Sequence, residues 1–217
     1  SAASDVYKRQ SSRGEDTLYM IVKRTVNGST VRYIEYLQPF DFGSNIEDAW
    51  FLDSGLLYSG SATTTLSGLS HLEGQTVSIL ANGSTHADKV VSSGAISLDR
   101  SVTKAIVGLK YTSKLQTMRI ESGSADGSAQ GKVKRIQEIT ARFFETVGAE
   151  IGSNSTQTDL IPFRDSSMAM DQAVKLFSGD KQIEFNSDYE TDGFVYIQQE
   201  QPLPMTITAL FPQLNTY

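Results

Sequence analysis

The sequence predicts an all-β protein: a small β-barrel or sandwich inserted into a second β-sandwich-like domain. Three observations carry this expectation. Runs rich in Val, Ile, Tyr and Thr recur at strand length, Asn-Gly and Ser-Gly dipeptides punctuate them, and two polar stretches, residues 54–65 and 115–131, bracket the tightest series of short runs. The length of 217 residues allows one large domain or two small ones. With 39% hydrophobic and 20% charged residues, 17 Gly and 5 Pro, the composition is that of a globular chain and not of a disordered or collagenous one. Apolar runs such as Tyr19-Met20-Ile21-Val22 fall far short of the ~20 residues that span a bilayer as a helix, so no membrane is expected among the partners.

Residues 1–10 stand apart. Asp5-Val6-Tyr7-Lys8-Arg9-Gln10 looks like an in-frame translation of a transposase mosaic-end sequencing adapter, so 1–10 is read as an adapter-derived tail and the chain as a metagenomic fragment of a longer reading frame. Residues 17–25 and 30–37 then flank Asn27-Gly28, the dipeptide that supplies positive φ at both centres of a type I′ turn, and predict a β-hairpin. Apolar residues on both faces of its strands predict burial on both sides, against something later in the chain or against a missing part. Residues 48–55 read as one strand and 56–66, rich in Ser, Thr, Gly and Tyr, as connection.

Short strands follow at residues 76–81, 89–91, 95–98 and 104–108, separated by Asn82-Gly83 and Ser93-Gly94 turns, which is the spacing of a small barrel or sandwich. Residues 121–131 hold almost nothing to bury and read as a linker or long loop. The apolar spacing in 132–147 fits a helix, but its β-branched and aromatic content fits a strand, and strand is the reading adopted. Residues 177–185, 193–198 and 205–210 supply further strands, and Pro202 and Pro204 confine their segment to a sheet edge or a strand start. The expected organisation is therefore a discontinuous β-domain of 11–63 and 115–217 with 64–114 inserted as a small β-barrel.

The net charge of −6 and pI near 5.0 argue against a surface that traps nucleic acid overall. The absence of cysteine removes disulfides, thiolate zinc sites, iron–sulfur clusters and cysteine nucleophiles. His71-Leu72-Glu73 has the H-x-E of a zinc deaminase, but that chemistry also needs a downstream C-x-x-C. A His71/Glu73/His86 metal set is the weaker reading beside two histidines satisfied at turns or strand edges, and no G-x-S-x-G elbow supports a serine triad. Asp188-Tyr189-Glu190-Thr191-Asp192-Gly193 alternates acids like a calcium loop and puts Gly at the sixth position, yet Glu190 stands where Asp or Asn belongs and Gln199 where the bidentate Glu belongs, so an acidic hairpin turn is the plainer reading. Lys132, Lys134, Arg135 and Arg142 form the single basic cluster and read as a solvated strand face before a phosphate contact. Of the sequons at Asn27, Asn82 and Asn154, the first two are already explained as Asn-Gly hairpin turns and none is read as a glycosylation site, and neither a P-loop nor a G-x-G-x-x-G is present.

Residues 25–35 (Thr-Val-Asn-Gly-Ser-Thr-Val-Arg-Tyr-Ile-Glu) resemble a recurring element of tail proteins from tailed bacteriophages. The resemblance continues in order through Phe51-Leu52-Asp53-Ser54-Gly55-Leu56, Gly68-Leu69-Ser70-His71-Leu72-Glu73-Gly74-Gln75-Thr76-Val77, Val107-Gly108-Leu109-Lys110-Tyr111-Thr112-Ser113 and Gln201-Pro202-Leu203-Pro204. The nearest group in kind is the nozzle, tail tubular B or packaged-DNA stabilisation type of short-tailed phages, whose motif has Pro where this chain has Lys110. The resemblance implies a structural subunit in a ring of its own copies below the portal, in contact with portal, adaptor and other tail proteins. It also implies packaged DNA passing without sequence-specific contact, assembly in the bacterial host cytoplasm, and residence in the virion tail. It carries over no catalytic, cofactor-binding or metal residue, and an enzyme is not expected. The alternative is a receptor- or carbohydrate-binding β-module of the tail, which would use an exposed aromatic platform around Trp50, Tyr58 and Tyr111; a tail glycan hydrolase would instead need a carboxylate pair ~5–10 Å apart in a cleft.

Overall fold

The computed structural model describes residues 5–10, 16–121, 123–124, 127–128, 131–169 and 172–216, and over them the protein is all-β. It divides into two compact units, residues 1–110 and 111–217. Among the described residues no helix is long and apolar enough to cross a membrane.

In the first unit β1 (Asp5–Gln10), β2 (Asp16–Val26) and β3 (Ser29–Tyr36) form an antiparallel sheet in chain order. The expected hairpin is β2–β3, closed at Asn27 (φ 47°) and Gly28 (φ 75°), both left-handed as a type I′ turn requires. Its two faces are not both buried, contrary to expectation. Val22 and Val26 point inward and are buried, while Tyr19, Ile21, Ile34 and Tyr36 share the outward face and stay exposed.

The second sheet of this unit runs β4 (Asp53–Ser67), β7 (Ala95–Leu109), β5 (Thr76–Ala81), β6 (Ser84–Val90). Residues 48–55 do not form the single strand expected. Ile46–Asp48 is one 3-10 turn, and the Trp50 indole donates to Leu52 O at 3.1 Å while packing so closely on Gly55 that a Cβ there would lie 2.9 Å from the ring, which folds the run back before β4 starts. Residues 56–66, expected as connection, are β4 itself. They occupy a sheet edge, where Ser and Thr side chains face water while the backbone pairs with β7, so polarity misled where β-branching was informative. The expected boundary at 63/64 falls inside this strand, and the runs at 95–98 and 104–108 are one long β7 that bends at register shifts against β4. Leu72, Val77, Ile79 and Val102 are fully buried in an aliphatic core, and each such side chain contributes ~1.5–3 kcal/mol by leaving water. The two further tight turns, Asn82-Gly83 and Ser93-Gly94, repeat the paired positive φ of the first.

The second unit holds β8 (Ser113–Gln116), the two-residue pair β9 (Gly123–Ser124) and β10 (Gly127–Ser128), β11 (Lys134–Thr146), β12 (Glu150–Asn154), β13 (Gln157–Leu160), β14 (Phe177–Glu184), β15 (Tyr196–Gln199) and β16 (Ile207–Thr216). Its sheets run β14-β11-β16 and β13-β12-β15-β8. The strand reading of 132–147 holds, and bulges against β16 explain the mixed periodicity, because each register shift displaces the apolar alternation. Within the expected linker 121–131, β9 and β10 pair with each other, and residues 122, 125–126 and 129–130 lie outside the described residues. The β12–β13 hairpin was not anticipated. Its turn is organised by Asn154, whose Oδ1 accepts from Thr156 N at 2.9 Å and Gln157 N at 3.1 Å.

Candidate functional site

His71 sits in the 3-10 turn Ser70–Leu72, donates Nε2–H to Ser54 O at 2.9 Å and meets the Tyr33 ring edge-on. Glu73 turns away from it and accepts from Ser93 N at 2.9 Å and Gly94 N at 2.7 Å, capping the next tight turn. His86 accepts at Nε2 from Asp99 N at 3.1 Å, which leaves Nδ1 to donate to Ala87 O at 2.8 Å. The three side chains that could have made a metal set are thus engaged separately with backbone, and no group of three metal-ligating side chains occurs among the described residues.

The inner face of the hairpin is fixed by a small polar cluster. Arg24 makes a bidentate bond to Glu35 at 3.1 and 2.9 Å, and Ser54 donates to Glu35 Oε1 at 2.9 Å. Beside it, burial pushes the Asp53 carboxyl above the usual carboxylate range, Arg24 opposes that rise and Glu35 adds to it. At the far edge of the same unit, burial would raise the Asp88 carboxyl, but hydrogen bonds from Ser78 and Lys110, with the Lys110 charge, outweigh it and hold the group low. Lys110, the position where the phage motif has proline, is therefore one half of an ion pair at 3.0 Å.

The calcium-like loop 188–193 is clasped by a lysine of this chain. Lys134 is buried, its backbone exchanges two hydrogen bonds with Glu190, and its Nζ donates to Thr191 O at 3.2 Å. Asp192 faces outward to Arg119 at 2.8 Å. The basic cluster is the solvated face expected only in part: Lys134 points inward, whereas Arg135 lies over the Tyr189 ring at 5.3 Å and the exposed Arg142 is bidentate to Asp180 at 2.7 and 2.9 Å while covering Phe211. A lysine and an arginine in a strand read as exposed until an aromatic or a carbonyl cage elsewhere in the chain is known, and that information is non-local.

Of the three aromatic platform residues, Trp50 and Tyr58 are half-buried and bonded to nearby backbone, Tyr58 to Ser61 O at 2.6 Å, while Tyr111 belongs to the second unit. A contiguous exposed apolar feature is instead the outward hairpin face, where Ile34 is 77% and Tyr36 55% exposed. Its signal was present as the alternation of Tyr19, Ile21 and Lys23 against Arg32, Ile34 and Tyr36, but alternation does not say which face meets the core. No protein-family model matches this chain, and no curated protein matches it either. The class defined by its fold is an all-β protein of antiparallel sheets.

Proposed function

We propose that this chain is a structural subunit of a bacteriophage tail, of the nozzle or tail-tube ring kind set below the portal, where it helps retain and conduct packaged DNA. The observation that carries the reading is the ordered resemblance of the motifs from 25–35 through 201–204, nearly the whole length after the first ten residues. The architecture is in keeping with it. Two β-units hold their loops with side-chain-to-backbone bonds, and the side chains with chemical potential, His71, Glu73, His86 and Lys134, serve that purpose. A net charge of −6 suits a wall along which duplex DNA slides, since fixed cations would hold phosphates in place.

Cryo-microscopy of virions that carry the parent protein tests this reading. The expected result is a closed ring of copies between portal and tail tip. A single copy at a fibre tip, or specific retention of the chain on a glycan array, overturns it in favour of a receptor- or carbohydrate-binding module.

A further inference from the structure

We propose that the outward face of the β2–β3 hairpin in one copy docks on the outward face of the β14-β11-β16 sheet of a second copy. This deepens the reading of the chain as a self-assembling subunit and rests on that reading for its occupant. On the hairpin, Lys23 lies directly opposite Arg32, and neither has an acidic partner among the described residues. Like charges held across a strand pair destabilise it, so the arrangement is unfavourable until an anionic surface covers it. The next row on the same face is Ile21 opposite Ile34, and the row after that is Tyr19 opposite Tyr36, all exposed. Within β2 and β3 this face thus carries two cations, no acid and a contiguous apolar patch, and Asp5 of β1 stands in register opposite Ile21.

The second unit presents the converse. Glu138 lies directly opposite Glu184, with Gln213 on its other side donating to Glu138 at 3.1 Å. The next row is Gln182, Thr140 and the exposed Phe211, and the one beyond it is Asp180 with Arg142. Three carboxylates therefore stand on this face beside two guanidiniums, Arg142 bonded to Asp180 and Arg135, opposite Asn215 one row beyond Glu138, over the Tyr189 ring, so the pair left without an opposite charge is Glu138 and Glu184. Rows along a strand repeat every ~7 Å on either face. Laying the cationic row of one copy over the acidic row of the next then brings Ile21 and Ile34 onto the Phe211 row, and the tyrosine pair towards Arg142 and Asp180. Both like-charge pairs are relieved by the one contact. Because the two faces differ, the contact is heterologous, and its repetition gives a ring or a filament according to whether the rotation closes.

The test is sedimentation velocity of the full chain across a concentration series at low and high salt. Two charge-reversed variants, Lys23→Glu/Arg32→Glu and Glu138→Lys/Glu184→Lys, are run alongside, with circular dichroism and melting to verify that each is folded. The wild type is expected to associate, and more weakly at high salt. Each reversal alone is expected to weaken association by about tenfold or more, and an equimolar mixture of the two to recover it, since each then offers the face the other lacks. A mixture that fails to recover overturns the docking, as does a hairpin that captures a duplex DNA oligonucleotide while the chain stays monomeric. Wild-type assembly that neither reversal weakens overturns the docking and leaves the self-assembling reading standing. A wild type monomeric at every concentration overturns the docking, and the protein's place in the virion is decided separately by the microscopy above.

Discussion

The core of residues 1–110 is aliphatic, drawn from Leu, Val, Ile and Ala on β4, β5 and β7 and the segments beside them, and Ser78 is its one buried polar residue among those described. The core of residues 111–217 centres on Phe143, Phe163, Phe177 and Phe185, and around it Lys134, Thr146, Ser153, Ser187, Gln198 and Gln199 are buried as well. The contrast follows from how the strands are connected. The two-residue Asn82-Gly83 turn lets β5 pair directly with β6, and β5 pairs along its other edge with β7. The second unit has longer loops between its strands, so side chains must complete the pairing: Ser187 both accepts from Ile136 N and donates to Ile136 O, and Gln199 binds the carbonyls of Val147 and Gly148. Tight turns make a sheet self-sufficient, and long loops make it depend on buried polar groups.

The largest expected effect does not discriminate the units and so sets the scale. Ile79→Ala and Ile139→Ala both remove fully buried side chains and should each cost ~2–5 kcal/mol in denaturant titration. A near-neutral result at either position would mean that its core is not packed as described. Lys134 sharpens the contrast: Lys134→Ala leaves a void and should cost ~2–3 kcal/mol. Lys134→Met keeps the stem and should cost less than ~1 kcal/mol, because the ammonium has one carbonyl acceptor and much of its gain is offset by desolvation. Equal losses in the two variants would show that the charge, not the packing, clasps the 188–193 loop.

Gly152→Ala comes next at ~1–3 kcal/mol, since a Cβ would stand 1.7 Å from Gln157 O and β12 and β13 would have to part. The Asn154 turn should lose amide exchange protection with it. The smallest effects concern pH in the first unit. The depressed Asp88 pKa contributes stability above the ordinary carboxylate value, lost as pH falls through the lower folded value. Lys110→Ala should remove part of that acid dependence and cost less than ~1 kcal/mol at neutral pH. Asp53 has the opposite sign: its raised pKa opposes folding above the raised value, so Asp53→Asn should stabilise slightly at neutral pH, and the advantage should vanish in acid. Reversed signs in the two melting profiles would show that the seam beside Arg24 and Glu35 is not as desolvated as described.

The same contrast explains what was legible in advance. The β2–β3 hairpin and the strands at 76–81 and 104–108 could be read because local turn chemistry and β-branching act within a few residues. β4 was misread because edge position, which permits a polar strand, is a property of the sheet, and β12–β13 because its polar composition resembles a loop. The roles of Lys134, Arg135 and Arg142 depended on partners more than 35 positions away in the chain (Thr191, Tyr189 and Asp180), and no local pattern encodes them. Histidines at a turn and a strand edge were foreseeable as a type of position; their particular acceptors were not.

The two Asn-Gly turns share a backbone shape but not a chemical lifetime. An asparagine ahead of glycine ages when the following amide nitrogen attacks the side-chain carbonyl carbon and closes a succinimide, which opens to aspartate or isoaspartate. Asn82 holds its side-chain oxygen in place by accepting from Thr103 N at 3.2 Å and Lys104 N at 3.0 Å, and Asn27 has no such restraint among the described residues. Stored protein should therefore acquire its first new negative charge at the tip of the exposed hairpin, while the turn leaning on β7 keeps its amide.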